Sequence, residues 1–143
     1  MRQAEALAIL QSGASVFLTG APGAGKTYVL NEFVRPARAE GAAVSVTAST
    51  GIAATHINGQ TIHSWSGVGL ANALTDNLIK TIRTRRKRKL HGADILIIDE
   101  ISMLHDYRLD MVDEVCRLVR KEPDVPFGGI QVIMSGDFFQ LPP

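Results

Sequence analysis

The apolar positions of this chain fall into short runs separated by glycine-rich turns, and the runs alternate between helical and strand-like spacing. Ala4, Leu7, Ala8 and Leu10 recur at helical spacing, and Gly13 follows as a stop signal. SVFLT is a brief, partly β-branched strand ending at a glycine; GAPGAGKT comes next, and a helical stretch over residues 26–40 is closed by Gly41. AVSVTA reads as a second strand, and the small-residue segment STGIAATHINGQTIHSW predicts short helices joined by loops. Leu74, Leu78, Ile79 and Ile82 share one face, which predicts a single helix from Thr75 into the basic run that follows. ADILIID is the third strand. Residues 106–121 are amphipathic through Leu109, Val112, Val115, Cys116 and Val119, with Pro123 as the stop, and the fourth strand, IQVIMS, runs into GDFFQLPP.

Apolar strands alternating with helices predict a parallel α/β sheet covered on both faces, a three-layer α/β/α domain whose ligands lie at the carboxyl ends of the strands. The strands are numbered here as they occur, and their expected spatial order is 2-3-4-1. A length of 143 residues suits one domain, and 45% hydrophobic with 20% charged residues is the composition of a packed globular fold.

Charge changes this picture only locally. The net charge of +1 by itself points to neither a nucleic acid nor a membrane surface, yet six of the fifteen basic residues lie in the seven-residue run RTRRKRK, residues 83–89. That run is either a solvated helix face or a contact for phosphates. The single cysteine, Cys116, excludes an internal disulfide and reads as a core residue. Residues 6–25 carry no charge, but Gln11, Ser12, Gly13 and the glycine-rich turn interrupt them, so they form neither a membrane span nor a signal peptide.

The chemistry is concentrated at the predicted strand ends. Gly20, Ala21, Pro22, Gly23, Ala24, Gly25, Lys26 and Thr27 match GxxxxGK[ST] between a strand and a helix, the context in which backbone N–H groups and a helix N-terminus cradle phosphates. Lys26 would reach the β- and γ-phosphates of ATP, the Thr27 hydroxyl would bind Mg²⁺, and Tyr28 completes the nucleotide-binding set. ILIIDE delivers two carboxylates to a strand end: Asp99 to hold the metal and Glu100 to orient and deprotonate an attacking water. Gln140, leaving the fourth strand in GDFFQ, is placed to report on the γ-phosphate.

GAPGAGKT, ASTGIAATHINGQTIHSW, LIIDEISML and GDFFQLPP, in this order over nearly the whole chain, resemble motifs I, Ia, II and III of the PIF (petite integration frequency) helicases, 5′-to-3′ superfamily 1 DNA helicases related to RecD. The resemblance implies a RecA-like P-loop NTPase motor domain over residues 1–143, with a short wedge-like insertion at residues 66–92, that uses ATP and Mg²⁺ to translocate on single-stranded DNA. It implies a second RecA-like domain of the same protein as partner, beyond Pro143, a monomeric state and no membrane partner. A bacterial source would place the protein in the cytoplasm with the nucleoid, and a eukaryotic one in the nucleus or mitochondria. Residue by residue, it assigns Gln3 to the adenine ring, and Thr50, Gly51, His63 and Ser64 to the single-strand backbone. Arg85, Arg86, Lys87 and Arg88 fall between motifs Ia and II, where DNA contact is expected. From the residues alone His63 is either structural or a DNA contact, and Trp65 is a core residue before it is a stacking platform. The other classes open to the sequence are a P-loop kinase, which the Asp99-Glu100 pair with Gln140 argues against, and a non-hydrolysing nucleotide or single-strand-binding module.

Overall fold

Alternation within the strands decides which helices cover which face of the sheet. The computed structural model describes residues 3–20 and 25–137. In β4 (Ile95–Asp99) Ile95 and Ile97 join one core cluster and Leu96 and Ile98 the other; in β5 (Gln131–Asp137) Ile133 goes with the first and Val132 with the second. Helices α1 (Gln3–Gln11) and α2 (Lys26–Ala39) cover the first face with Ala6, Leu10, Val29 and Phe33. Helices α4 (Ile62–Ser66), α5 (Asp76–Arg85), α6 (Lys87–Gly92) and α7 (Asp106–Arg120) cover the second with Ile62, Trp65, Ile82, Leu90, Val112 and Val115. The three-layer α/β/α architecture is the expected one.

The sheet is parallel throughout, in the order β1 (Val16–Gly20), β5, β4, β2 (Val44–Ala48), β3 (Gln60–Thr61). The four anticipated strands take their anticipated order. The two-residue β3 is an addition: it pairs with Thr47 and Ala48, and Gly59 permits it, because a side chain there would run into the Val46 carbonyl. Register places Gly20 opposite Asp137 and Ala48 opposite Asp99, so the strand ends that carry the motifs line up along one edge of the sheet. No helix among the described residues is long and apolar enough to cross a membrane.

One expectation is corrected. The helix from Thr75 does not run through the basic stretch: it is capped by the Thr75 side chain, ends at Arg85 and restarts at Lys87, with Arg86 at φ −116° and ψ 0° between. Ile82 and Leu90 are both buried against the same sheet face, and at about 100° per residue a continuous helix would turn Leu90 roughly 80° away from Ile82. The break realigns them. Helix α7 ends as expected before Pro123: Arg120 is its last residue, and the left-handed backbone of the capping Lys121 (φ 58°, ψ 39°) lets the Glu122 N–H donate to the Arg117 carbonyl at 3.0 Å. Trp65 is 0% exposed, a core residue as expected, and Cys116 likewise is fully buried. Burial, followed by the nearby Asp113 carboxylate, pushes the Cys116 thiol up to about 12, so it stays protonated and inert at neutral pH.

Candidate active site

The candidate phosphate-binding loop begins where β1 ends. Gly20 closes the strand, Ala21, Pro22, Gly23 and Ala24 lie outside the described residues, and Gly25 enters helix α2 in the left-handed conformation (φ 86°) that glycine adopts without strain. Lys26 is therefore the first helical residue, with Thr27 and Tyr28 exposed on the same turn. Its Nζ reaches across the sheet edge and donates to the Gly136 carbonyl at 3.0 Å, which ties the loop to the end of β5. The side-chain amide of Gln3, at the start of α1, lies so close over Gly25 that any side chain at Gly25 would meet it. A residue far from the loop in the pattern of motifs thus stands directly beside it.

The two carboxylates sit together at the end of β4, two strands from β1. Asp99, the last residue of β4, accepts from the Ser135 hydroxyl at 2.7 Å and from the Glu100 N–H at 2.9 Å, both on Oδ1, so its carboxylate is oriented by β5 and by its own neighbour. Glu100 occupies the left-handed region (φ 56°, ψ 42°), a conformation uncommon outside glycine and costly for an L-residue with a Cβ. The turn is held by the Ser49 hydroxyl, which donates to the Glu100 carbonyl at 2.6 Å, and by the Met103 N–H, which donates to the same oxygen at 3.1 Å. A carboxylate and a hydroxyl are hard oxygen donors suited to Mg²⁺, an ion that keeps several waters and needs only one or two protein ligands beside nucleotide phosphates. Asp99 and Thr27 fit that requirement in kind. Gln140 lies outside the described residues.

The candidate DNA residues gather at the end of β2. Thr50 caps helix α3 (Gly51–His56), its side chain accepting from the Ala53 N–H at 3.2 Å, and leaves Gly51 exposed at the helix start. His63, on α4, is partly buried; desolvation and then the Arg108 charge lower its pKa, against an opposing hydrogen bond to the Ser49 backbone, so the ring is neutral at pH 7. Its Nδ1 has no hydrogen-bond partner among the described residues. Ser64 is exposed, and its carbonyl accepts from Arg86 Nε at 3.2 Å. That bond brings the basic run to motif Ia, two features the sequence holds 22 positions apart. Arg85, Lys87 and Arg88 are exposed beside it, distributed over two short helices. Ser49 and Ser135 escaped sequence reasoning. Both are single serines at strand ends, and only the neighbouring carboxylate strand gives them meaning.

A wholly parallel sheet with a glycine loop entering a helix after its edge strand, and paired carboxylates two strands away, defines the RecA-like fold of P-loop NTPases. The family model described as PIF1-like helicase matches residues 2–143, and the chain belongs to that family. It is 54% identical over 145 residues to the ATP-dependent DNA helicase Pif1 of Psychrobacter sp. (strain PRwf-1), covering 100% of this chain and 22% of that protein. The crystal structure of the Pif1 helicase from Candida albicans superposes with a TM-score of 0.88 at 41% identity, covering 99% of this chain and 33% of that one. A Pif1 helicase from Bacteroides, solved in complex with ADP-AlF3 and ssDNA, gives a TM-score of 0.75 at 37% identity, covering 99% of this chain and 32% of that one. The chain therefore spans about a fifth of the length of this curated relative.

Proposed function

We propose that this chain is the first RecA-like motor domain of an ATP-dependent DNA helicase, which couples ATP hydrolysis to 5′-to-3′ translocation on single-stranded DNA. The observation that carries the reading is the convergence at one sheet edge of Lys26 on the Gly136 carbonyl, Asp99 oriented by Ser135, and Glu100 held by Ser49, beside the motif Ia residues. Lys26 binds the β- and γ-phosphates and Gly25 leaves room for them. Thr27 and Asp99 would hold Mg²⁺, which would supply positive charge to offset that of the phosphates. Glu100 orients a water in line with the γ-phosphorus and takes its proton as the new P–O bond forms and the bond to the β–γ bridging oxygen breaks, giving ADP and inorganic phosphate. Gln140 senses the γ-phosphate, Gln3 reads the adenine ring, and Ala21, Pro22, Gly23, Ala24 and Tyr28 complete the nucleotide-binding set. Thr50, Gly51, His63 and Ser64 contact the single strand, with Arg85, Arg86, Lys87 and Arg88 drawing in its phosphates. Residues 66–92 take the place of a wedge, and the second RecA-like domain of the whole, monomeric protein closes over the nucleotide. The presence of a bound single strand in a relative of the same fold supports this assignment. The direct test is ATP turnover by the full-length protein with and without single-stranded DNA; a protein that binds both and never hydrolyses ATP would instead be a nucleotide-dependent binding module.

Two smaller outcomes follow from the geometry. Lys26 belongs to neither core cluster, so Lys26→Ala should fold normally and weaken ATP binding by about 10- to 100-fold, the loss of a charged hydrogen bond of about 1.5–3 kcal/mol. An ATP titration unchanged in the folded variant would remove Lys26 from the site. For the basic run, about five cations on single-strand phosphates give a slope of log affinity against log salt near roughly −3.5. Replacing Arg85, Arg86, Lys87 and Arg88 by alanine should flatten it, whereas an unaltered slope would return the run to a solvated helix surface.

A further inference from the structure

The sharpest unexplained feature of the site is the backbone of Glu100. A glutamate in the left-handed region is unfavourable and persists only where its surroundings hold it. The holding contacts come from β2. Ser49, 5% exposed, donates its hydroxyl to the Glu100 carbonyl at 2.6 Å, while its own N–H donates to the Asp99 carbonyl at 3.1 Å. One buried residue thus grips the backbone of both carboxylates.

Ser49 also touches the other end of the mechanism. It immediately precedes Thr50 and Gly51, which open helix α3. Ser49 is thus joined covalently to the start of α3 and by hydrogen bonds to the backbone of Asp99 and Glu100. The path from a phosphate at Gly51 to the Glu100 carbonyl runs through two covalently adjacent residues and one hydrogen bond. A displacement of Thr50–Gly51 on a DNA phosphate has to move Ser49, and Ser49 cannot move without altering the turn that aims Glu100.

We infer that Ser49 is a positioning residue that couples engagement of a single strand at Thr50 and Gly51 to the placement of Glu100. The inference rests on the proposed motor reading and adds to it the route by which DNA reaches the hydrolytic water. Ser49 touches neither nucleotide nor DNA in this scheme, and its effect passes entirely through Glu100. Its loss should therefore alter kcat at saturating DNA and leave the binding constants alone.

The experiment uses the full-length protein, with steady-state ATPase as a function of ATP and of a thymidine oligonucleotide, and with binding of both ligands measured separately. Ser49→Ala should keep KM for ATP and the oligonucleotide Kd within about twofold while DNA-stimulated kcat falls about tenfold, the effect of one oriented hydrogen bond. Ser49→Thr, which retains the hydroxyl, should recover most of that loss. In a Glu100→Gln background Ser49→Ala should add little under single-turnover conditions, because both changes act through the same group. Should the alanine variant not fold, Ser49→Cys keeps the volume with a much weaker donor and carries the same expectation. DNA-stimulated kcat of Ser49→Ala equal to that of the unaltered protein would overturn the inference. Parallel loss of ATP or DNA binding, unrescued by threonine, would overturn it in favour of a purely structural role. Failure of the motor reading itself is distinguishable, since the unaltered protein would then show no DNA-stimulated turnover in the first place.

Discussion

Assayed alone, the 143-residue chain is expected to bind ATP yet hydrolyse it about 10³- to 10⁵-fold more slowly than the full-length protein, with little stimulation by single-stranded DNA. Lys26, Thr27, Asp99 and Glu100 stand at one edge of one sheet, so they assemble the ground-state complex from a single side. In motors of the proposed kind ATP lies between two RecA-like lobes, and arginines of the second stabilise charge on the transferring phosphoryl group. An arginine supplied in this way is worth about 10³ to 10⁵ in rate, or roughly 4 to 7 kcal/mol at about 1.4 kcal/mol per decade. Steady-state ATPase of the short chain beside the full-length protein checks the expectation, and equal rates would make this a self-sufficient P-loop hydrolase.

Glu100→Gln should separate binding from chemistry. The amide keeps the shape and hydrogen-bonding capacity of the carboxylate but cannot take a proton at neutral pH, so ATP should bind as before while turnover in the full-length protein falls about 10²- to 10⁴-fold. The backbone contacts that define the turn, from Ser49 and Met103 to the Glu100 carbonyl and from the Glu100 N–H to Asp99, do not involve the side chain being changed. The variant should therefore be as stable as its parent in thermal unfolding. Normal hydrolysis by Glu100→Gln would assign the base to another group.

The layered sheet was legible because its signals are long-range and redundant. Each of the four strands is a short apolar run bounded by turn residues, and the motifs fall at their carboxyl ends, where a parallel sheet must bind ligands. What stayed hidden depends on tertiary fit. β3 is two residues long and has no period to detect. The interruption at Arg86 follows from the need to bury Ile82 and Leu90 on one surface, which local propensity in a run of arginines and lysines does not reveal. The roles of Ser49 and Ser135 depend on which strands become neighbours: β4 lies between β2 and β5, so one serine reaches the Glu100 backbone carbonyl from one side and the other reaches the Asp99 carboxylate from the other. Gln3 was assigned by resemblance alone, and its amide lies against Gly25. Motif Ia and the basic run appeared as separate features in the sequence, and the Arg86 to Ser64 hydrogen bond places them together.

The central claim, that this edge of the sheet hydrolyses ATP in response to a single strand, is tested most directly by ATP turnover of the full-length protein titrated with single-stranded and then with blunt duplex DNA. The account predicts magnesium-dependent hydrolysis that rises several-fold with the single strand, rises little with the duplex, and is abolished in the folded Lys26→Ala variant. Hydrolysis indifferent to single-stranded DNA, or surviving the loss of Lys26, would contradict it.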